Sequence, residues 1–394
     1  MMKLAIENVC SGCTACQSVC PKTAISMVVD KEGFLYPRID ESRCVQCGLC
    51  EKACPSINRD VPRTPLAVYA AKAKNDGLRL KSSSGGVFSL LARQVIARGG
   101  VVYGAGFDHV DWHVIHKSAE NEDELEDLRG SKYVQSDVQG IYAAVKAQLL
   151  AGREVLFSGT PCQVAGLRHY LNVLKVDAAK LLLVDVVCHA VPSPKVWQKY
   201  LDEREAALAG GRGSAPAEGR NIRRISSRHK NCGWKRYSLS LRFANDKEYL
   251  RDLNADTFLR GFLSELYNRP SCHDCQCRDL RSGSDLTIGD YWRVNDKFPE
   301  MDDDLGTSLV LVNTSVGDHL LQSVVPDIDL VKSDFADALR ANPAIKSSAS
   351  ANQKREKFFS LIDRCSFDAL VTTMLRRPSW KRVLSRVKRM LISR

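Results

Sequence analysis

Eight of the fifteen cysteines in this chain fall within its first fifty-four residues and repeat one spacing twice. Cys10, Cys13, Cys16 and Cys20-Pro21 form one copy, and Cys44, Cys47, Cys50 and Cys54-Pro55 the other, each reading C-x2-C-x2-C-x3-C-P. Three thiols so closely spaced share one tight loop. A loop of that kind wraps an iron–sulfur cube, and the fourth cysteine of each run reaches across to the other cube. The spacing therefore predicts one [4Fe-4S] cluster on Cys10, Cys13, Cys16 and Cys54, and a second on Cys44, Cys47, Cys50 and Cys20.

Zinc and disulfides are the competing uses of such thiols. Zinc favours paired C-x2-C units that close a tetrahedron, and a cysteine triplet leaves one thiolate too many. A disulfide framework needs an oxidising compartment. Met1-Met2-Lys3-Leu4-Ala5-Ile6-Glu7 runs into the first loop without an apolar signal core, so a cytoplasmic chain is expected. Each half has room for a short strand, a ligand loop and a helical turn about a pseudo-twofold axis. Ile25 to Val29 and the stretch around Phe34, Leu35 and Tyr36 supply the strands.

A two-cluster ferredoxin uses only a fraction of 394 residues, so further domains are expected. The longest apolar run, around Leu181 to Val184, is far too short to cross a bilayer. The formal charge of +11 is concentrated in two stretches without an acid. Seven cations lie between Arg220 and Arg236, and eight more lie from Arg376 to the end. Neither basic residues interleaved with stacking aromatics nor a recognisable reading module appears, which argues against nucleic acid. A solvated loop, an acidic redox partner and an anionic substrate remain as explanations of the first stretch. The second contains Trp380 to Leu391, with apolar and basic residues on opposite helical faces. That pattern suits a membrane surface, a partner or the protein's own body.

Pro55, Pro62 and Pro65 mark a way out of the ferredoxin module. The expected organisation is a two-cluster ferredoxin-like domain over 1–60, a linker over 61–66, an α/β domain over 67–345 and a basic helical tail over 346–394. A flexible insertion is expected at 206–219, where Gly210, Gly211 and Gly213 cluster. Within the α/β domain helical and strand patterns alternate. Helices are expected at 87–97, 138–150, 164–171 and 256–267, and strands at 100–104, 112–116, 154–157, 181–188, 237–243 and 285–290. Such alternation predicts a layered domain with a largely parallel sheet.

Three polar loops lie at expected strand ends or helix starts, where α/β sheets hold nucleotide-like groups. They are Ser83-Ser84-Gly85-Gly86, Lys132-Tyr133-Val134-Gln135-Ser136, and Gly159-Thr160-Pro161 with Gln163. For the first, an ordinary serine cap explains the residues equally well. Cys162 and Cys188 sit at strand ends and could converge on the pair Cys272 and Cys275 to hold a third cluster, with Cys277 as a spare. Buried thiols beside a zinc site, or no site at all, explain the same residues.

At these loops the chain resembles the family of coenzyme F-420 hydrogenase/dehydrogenase beta subunits. The likeness rests on Ser83 to Gly86, Lys132 to Ser136, Gly159 to Gln163, Asp185 to His189, and Cys272-x-x-Cys275 followed by Asp285 to Asp290. It spans roughly residues 67 to 340. The resemblance implies an FAD-binding iron–sulfur oxidoreductase, with FAD held by those loops and a third [4Fe-4S] cluster on Cys162, Cys188, Cys272 and Cys275. Electrons would pass between the clusters and FAD, and thence to coenzyme F-420 or another small acceptor, or the reverse. A redox partner protein is expected, either a ferredoxin or a dehydrogenase or reductase subunit. His189 is a candidate acid by position only. Ala190 departs from the family, which often has glycine there. The rival readings are a scaffold with structural clusters and a non-catalytic relay subunit.

Overall fold

The short helices that follow each ligand loop show most directly how the duplicated sequence folds. In this computed structural model, which describes residue 4 and residues 8–208 and 219–376, they span Ala15–Val19 and Leu49–Ala53. Each starts from a left-handed residue, Thr14 at φ 63° and Gly48 at φ 75°, and each ends at a cysteine in extended conformation, Cys20 and Cys54. The proline after each of these cysteines forbids another helical turn and drives the residue before it out of the α region. The fourth thiol of each run is thereby swung away from its own loop. Strands β1 (Ile25–Val29) and β2 (Leu35–Ile39) pair antiparallel beside the helices.

The remaining strands are β3 (Ala67–Ala73), β4 (Val101–Phe107), β5 (Val114–Ala119), β6 (Val155–Gly159), β7 (Leu181–Val186), β8 (Ile222–His229), β9 (Ser238–Phe243), β10 (Glu248–Asp252), β11 (Leu286–Asp290), β12 (Ser308–Val312) and β13 (Ile328–Ser333). Eight of them form one sheet in the order β13-β3-β12-β11-β7-β6-β4-β5. β4, β6, β7 and β11 run parallel, and β3 shares their direction because both it and β11 oppose β12. β5, β12 and β13 run the other way. The sheet is thus more mixed than the alternating pattern predicts. Asp108 to His113 is too short for a crossover, so β5 folds back on β4 as a hairpin. Strands β8, β9 and β10 form a separate antiparallel meander.

One face of the sheet packs on the helices Val87–Ala97 and Glu122–Leu128 through Leu91, Val95 and Leu125. The other face packs on the helices Ile141–Leu150 and Pro161–Val173, and these share a core with Ala15, Cys16, Val19 and Ala53 of the ferredoxin module. The module therefore lies against the body. The connecting residues 61–66 are tied down as well, with Arg63 N donating to Asp279 O at 3.1 Å and Leu66 N to Val312 O at 2.7 Å.

A third core joins the meander to the helices Pro194–Leu208, Thr257–Leu263, Arg355–Leu361 and Phe367–Leu375. Residues 346–376 are thus packed into the body through Phe358, Phe367 and Val371, without a break at 345. The expected insertion at 206–219 begins inside the helix Pro194–Leu208, and its residues 209–218 lie outside the described residues, as does the Trp380 to Leu391 segment. Among the described residues no helix is long and apolar enough to cross a membrane.

Candidate functional site

The eight N-terminal cysteines surround two separate cavities. One, about 330 Å³, is lined by Cys10, Cys13, Cys16 and Cys54, and the other, about 340 Å³, by Cys20, Cys44, Cys47 and Cys50. The structure brings the fourth cysteine of each run to the other run's loop, as the Cys-Pro geometry requires. Burial, followed by the neighbouring Cys10 and Cys54, pushes the Cys16 thiol up to about 12. Burial likewise raises Cys13, Cys54 and, to about 11, Cys50. A metal that binds here must displace these protons. Among the described residues no three Cys, His, Asp or Glu stand close enough to share a single metal ion. The thiols instead ring two pockets, four to each.

A third cavity, about 740 Å³, is lined by five cysteines: Cys162, Cys188, Cys272, Cys275 and Cys277. Cys162 is the second residue of the helix Pro161–Val173, placed there by β6 and the turn at Thr160, whose hydroxyl lies 3.2 Å from its sulfur. Cys188 follows the end of β7, and Cys272 and Cys275 belong to a single turn of 3-10 helix and its exit. Burial and the nearby Cys275 push Cys272 up to about 12. Burial also raises Cys188, Cys162 and Cys277. Cys277 is only 4% exposed, and burial, followed by Cys162, Cys275, Cys13 and Cys54, keeps its thiol protonated. Ser11 and Ser56 line both the first and the third cavities, so the two share a wall.

Two buried arginines, which sequence reasoning passed over, border the third cavity. Arg278 donates to Cys188 O at 2.9 Å and to His189 O at 2.7 Å. Arg269 donates to Cys10 O at 2.7 Å and to Gln135 Oε1 at 2.8 Å. The signal available in the sequence was a cation three residues before Cys272 and another three after Cys275.

The three loops expected to hold FAD are linked to one another through hydrogen bonds. Ser131 N donates to Ser83 Oγ, and Gln163 Nε2 to Ser136 O at 3.3 Å. The first loop suits a phosphate best. The helix Val87–Ala97 starts from Gly86 at φ 89° with no side-chain cap on its first N–H groups. Gly85 is held close by its own fit, because a Cβ there would stand 2.4 Å from Ala71 O.

The other two loops spend their side chains on protein. Lys132 donates to the carbonyls of Asp127 and Arg129 at 2.8 and 2.9 Å, and burial lowers its pKa to about 7. Gln135 bridges Ser11 O and Arg269, and Tyr133 receives a hydrogen bond from Arg228 at 3.1 Å. Gln163 closes back on Thr160, and Val134 is buried in the third core. Backbone groups of Ser83 to Gly86, Lys132 and Gly159 therefore carry what fit there is for a flavin.

His189 is half-exposed and paired with Glu265, with the Phe262 ring edge-on at 5.4 Å. Ala190, the departure from glycine, is buried in the wall of the third cavity. Asp185 lines the same cavity, and burial raises its carboxyl to about 6 although Ser282 donates to it at 2.6 Å. The cation-rich stretch from Arg220 to Arg236 turns out to be met by acids from elsewhere. Arg220 pairs with Glu205 and Asp202, Arg223 with Asp246, Arg224 with Glu126, Arg228 with Asp290, Lys235 with Asp302 and Arg236 with Asp252. Lys230 donates to the carbonyls of Arg79, Ser84 and Leu305. The anionic-substrate explanation of that stretch has no open cation to rest on.

Residues 152–337 match the family described as the C terminus of the coenzyme F420 hydrogenase/dehydrogenase beta subunit, and residues 9–58 match the 4Fe-4S dicluster domain. Over these residues the chain is similar to that family. It is similar to a subunit, designated F, of the F(420)H(2) dehydrogenase of Methanosarcina mazei, with 26% identity over 198 residues, 46% of this chain and 54% of that protein. It is also similar to an iron-sulfur subunit, designated A, of the CoB–CoM heterodisulfide reductase of Methanocaldococcus jannaschii, with 44% identity over 61 residues, 12% of this chain and 9% of that protein. This chain therefore spans about half the length of the first relative and a small part of the second. A chain of the F420-reducing [NiFe] hydrogenase complex from Methanosarcina barkeri superposes with a TM-score of 0.48 at 17% identity, covering 78% of this chain and 94% of that one. The protein is an iron–sulfur electron-transfer protein related to hydrogenase and dehydrogenase subunits.

Proposed function

We propose that this chain is an iron–sulfur flavoprotein oxidoreductase. Two ferredoxin-type [4Fe-4S] clusters and a third on Cys162, Cys188, Cys272 and Cys275 exchange electrons with FAD, and FAD with coenzyme F-420 or another small acceptor, in either direction. The carrying observation is the row of three thiol-lined cavities, of which the first and third share Ser11 and Ser56 as wall. At least four thiols gathered at each cavity suit a group that takes four thiolates at once, as a [4Fe-4S] cube does. Cubes placed in such a row form a path for single electrons. A flavin beside it would collect single electrons and release a hydride. The residues that would hold it are Ser83, Ser84, Gly85 and Gly86, with the backbone of Lys132 to Ser136 and Gly159 to Gln163. The relatives whose names refer to coenzyme F420 support the choice of acceptor.

A second reading is favoured by the spent side chains Lys132, Gln135 and Gln163. In it the chain relays electrons between a ferredoxin and a separate partner enzyme without a flavin of its own. Anaerobic purification followed by iron, sulfide and flavin quantification separates the readings. About twelve irons with one flavin support the first, since each cube holds four irons. About eight irons remove the third cluster, and full iron without flavin selects the relay. In Cys188→Ser the iron content is expected to fall by about four per chain.

A further inference from the structure

Arg269 is buried to 0% exposure at the joint between the first and third cavities. Its Nε donates to Cys10 O at 2.7 Å, one terminal nitrogen to Gln135 Oε1 at 2.8 Å, and the other to Leu35 O at 2.8 Å while standing 3.8 Å from Cys10 Sγ. The guanidinium lies 4.4 Å over the Tyr36 ring and 5.3 Å from that of Phe34. The first ligand loop is moulded to it. Gly12 sits at φ 69°, and a Cβ there would meet Arg269 and Gln135 at 2.8 Å each.

Among the described residues, none of the acceptors of Arg269 is charged. A guanidinium cannot give up its proton in a protein. A buried cation without a counter-charge is among the costliest arrangements a fold can keep. The natural counter-charge here is a pair of clusters, because a [4Fe-4S] core held by four thiolates is net negative and becomes more so on reduction. Cluster potentials follow local charge and hydrogen bonds to sulfur.

We infer that Arg269 is a positioning residue whose charge raises the reduction potentials of the first and third clusters together, leaving the cluster on Cys20, Cys44, Cys47 and Cys50 as the low-potential end of the row. This rests on the proposed function. Each step is a single electron leaving one cube and entering the next, with no bond or proton moved. Arg278, which holds the carbonyls of Cys188 and His189, touches only the third cavity, so it bears on the third cluster alone.

The test is an anaerobic redox titration of the full chain followed by electron paramagnetic resonance, with iron counted in the same samples. Signals are assigned by comparison with Cys188→Ser. In Arg269→Gln the first and third clusters should become about tenfold less reduced at a fixed ambient potential, equivalent to ~59 mV for one electron. The remaining cluster should not shift. Arg269→Lys keeps the charge and should titrate close to wild type. Full iron with unshifted potentials, equal shifts in all three clusters, or a lysine variant as low as the glutamine variant would each overturn the inference while leaving the proposed function intact. If the glutamine variant loses iron, the lysine variant decides: wild-type potentials support the charge, and lowered ones refute it. A wild-type protein with about eight irons overturns both this inference and the function on which it rests.

Discussion

Replacing Gly166 by alanine should loosen the ferredoxin module from the body, against what helix propensity alone predicts. Gly166 lies inside the helix Pro161–Val173, where alanine is favoured over glycine by about 1 kcal/mol. A Cβ at this position, however, would stand 2.8 Å from Tyr142 Oη, 3.0 Å from Cys13 Sγ and 3.1 Å from Cys13 Cβ. None of these atoms can yield easily. Tyr142 is fully buried and its hydroxyl donates to Gln163 O at 2.8 Å, while Cys13 lines the first cavity. Overpacking of this kind costs about 1–3 kcal/mol. Set against the propensity gain, the net expectation is a destabilisation of up to about 2 kcal/mol. The damage should be concentrated at Cys13, so iron should be lost before the body unfolds. Anaerobic thermal unfolding followed by cluster absorbance and by far-ultraviolet circular dichroism measures both. An alanine variant as stable as wild type or more so, with full iron, would refute the claim that this helix presses on the first ligand loop.

Other perturbations bear on different joints of the molecule. Glu205 is fully buried against Arg220 and also accepts from Asn221 N at 2.7 Å; Arg220 keeps Asp202, so Glu205→Ala should cost about 1–3 kcal/mol through the lost buried acceptor, read from the denaturant midpoint. Asp60 joins the module's exit to the helix Pro161–Val173 by accepting from Arg168 and, at 2.8 Å, from His169. Asp60→Ala should speed proteolytic nicking within residues 58–66, and an unchanged cleavage rate would show that this clamp is dispensable. Burial lowers the pKa of His116 to about 4, and its ring nitrogens meet Ser136 Oγ at 2.6 Å and Ser158 O at 3.0 Å. Because the unfolded ring protonates near 6.5, its contribution to stability is complete above that pH and is lost as pH falls toward 4, by up to roughly 3 kcal/mol. His116→Gln should flatten the difference from wild type across that window, and an identical pH profile would show that the ring is not held neutral.

Much of the cysteine grouping in the N-terminal part was legible because it is a matter of chain reach. Cys10, Cys13 and Cys16 have two residues between neighbours, too close to do anything but share a loop, and the proline after Cys20 and Cys54 dictates an extended residue that points elsewhere. The helix at Val87–Ala97 and the strands β6, β7, β9 and β11 were also readable, since their apolar periodicity is local. The helix Pro194–Leu208 and the strand β8 escaped, the one for its polar surface and the other because its cations looked like a solvated stretch.

What the residue order determined by itself is the thiol chemistry: which cysteines must share a loop, and which must leave it. What only the tertiary structure decided is where that chemistry leads. Cys162 and Cys188 come together because β6 and β7 are neighbours in one sheet, and the Cys272–Cys275 pair joins them because Asn268 bridges Pro192 just past Cys188; no spacing along the chain encodes that adjacency. Arg228 finds Asp290 across 62 residues, and Arg269 reaches Cys10 across 259. Such contacts depend on the order and direction of strands. A single sequence specifies these only through the summed packing of whole layers, and so the joint between the ferredoxin clusters and the third cavity could be seen only once those layers were assembled.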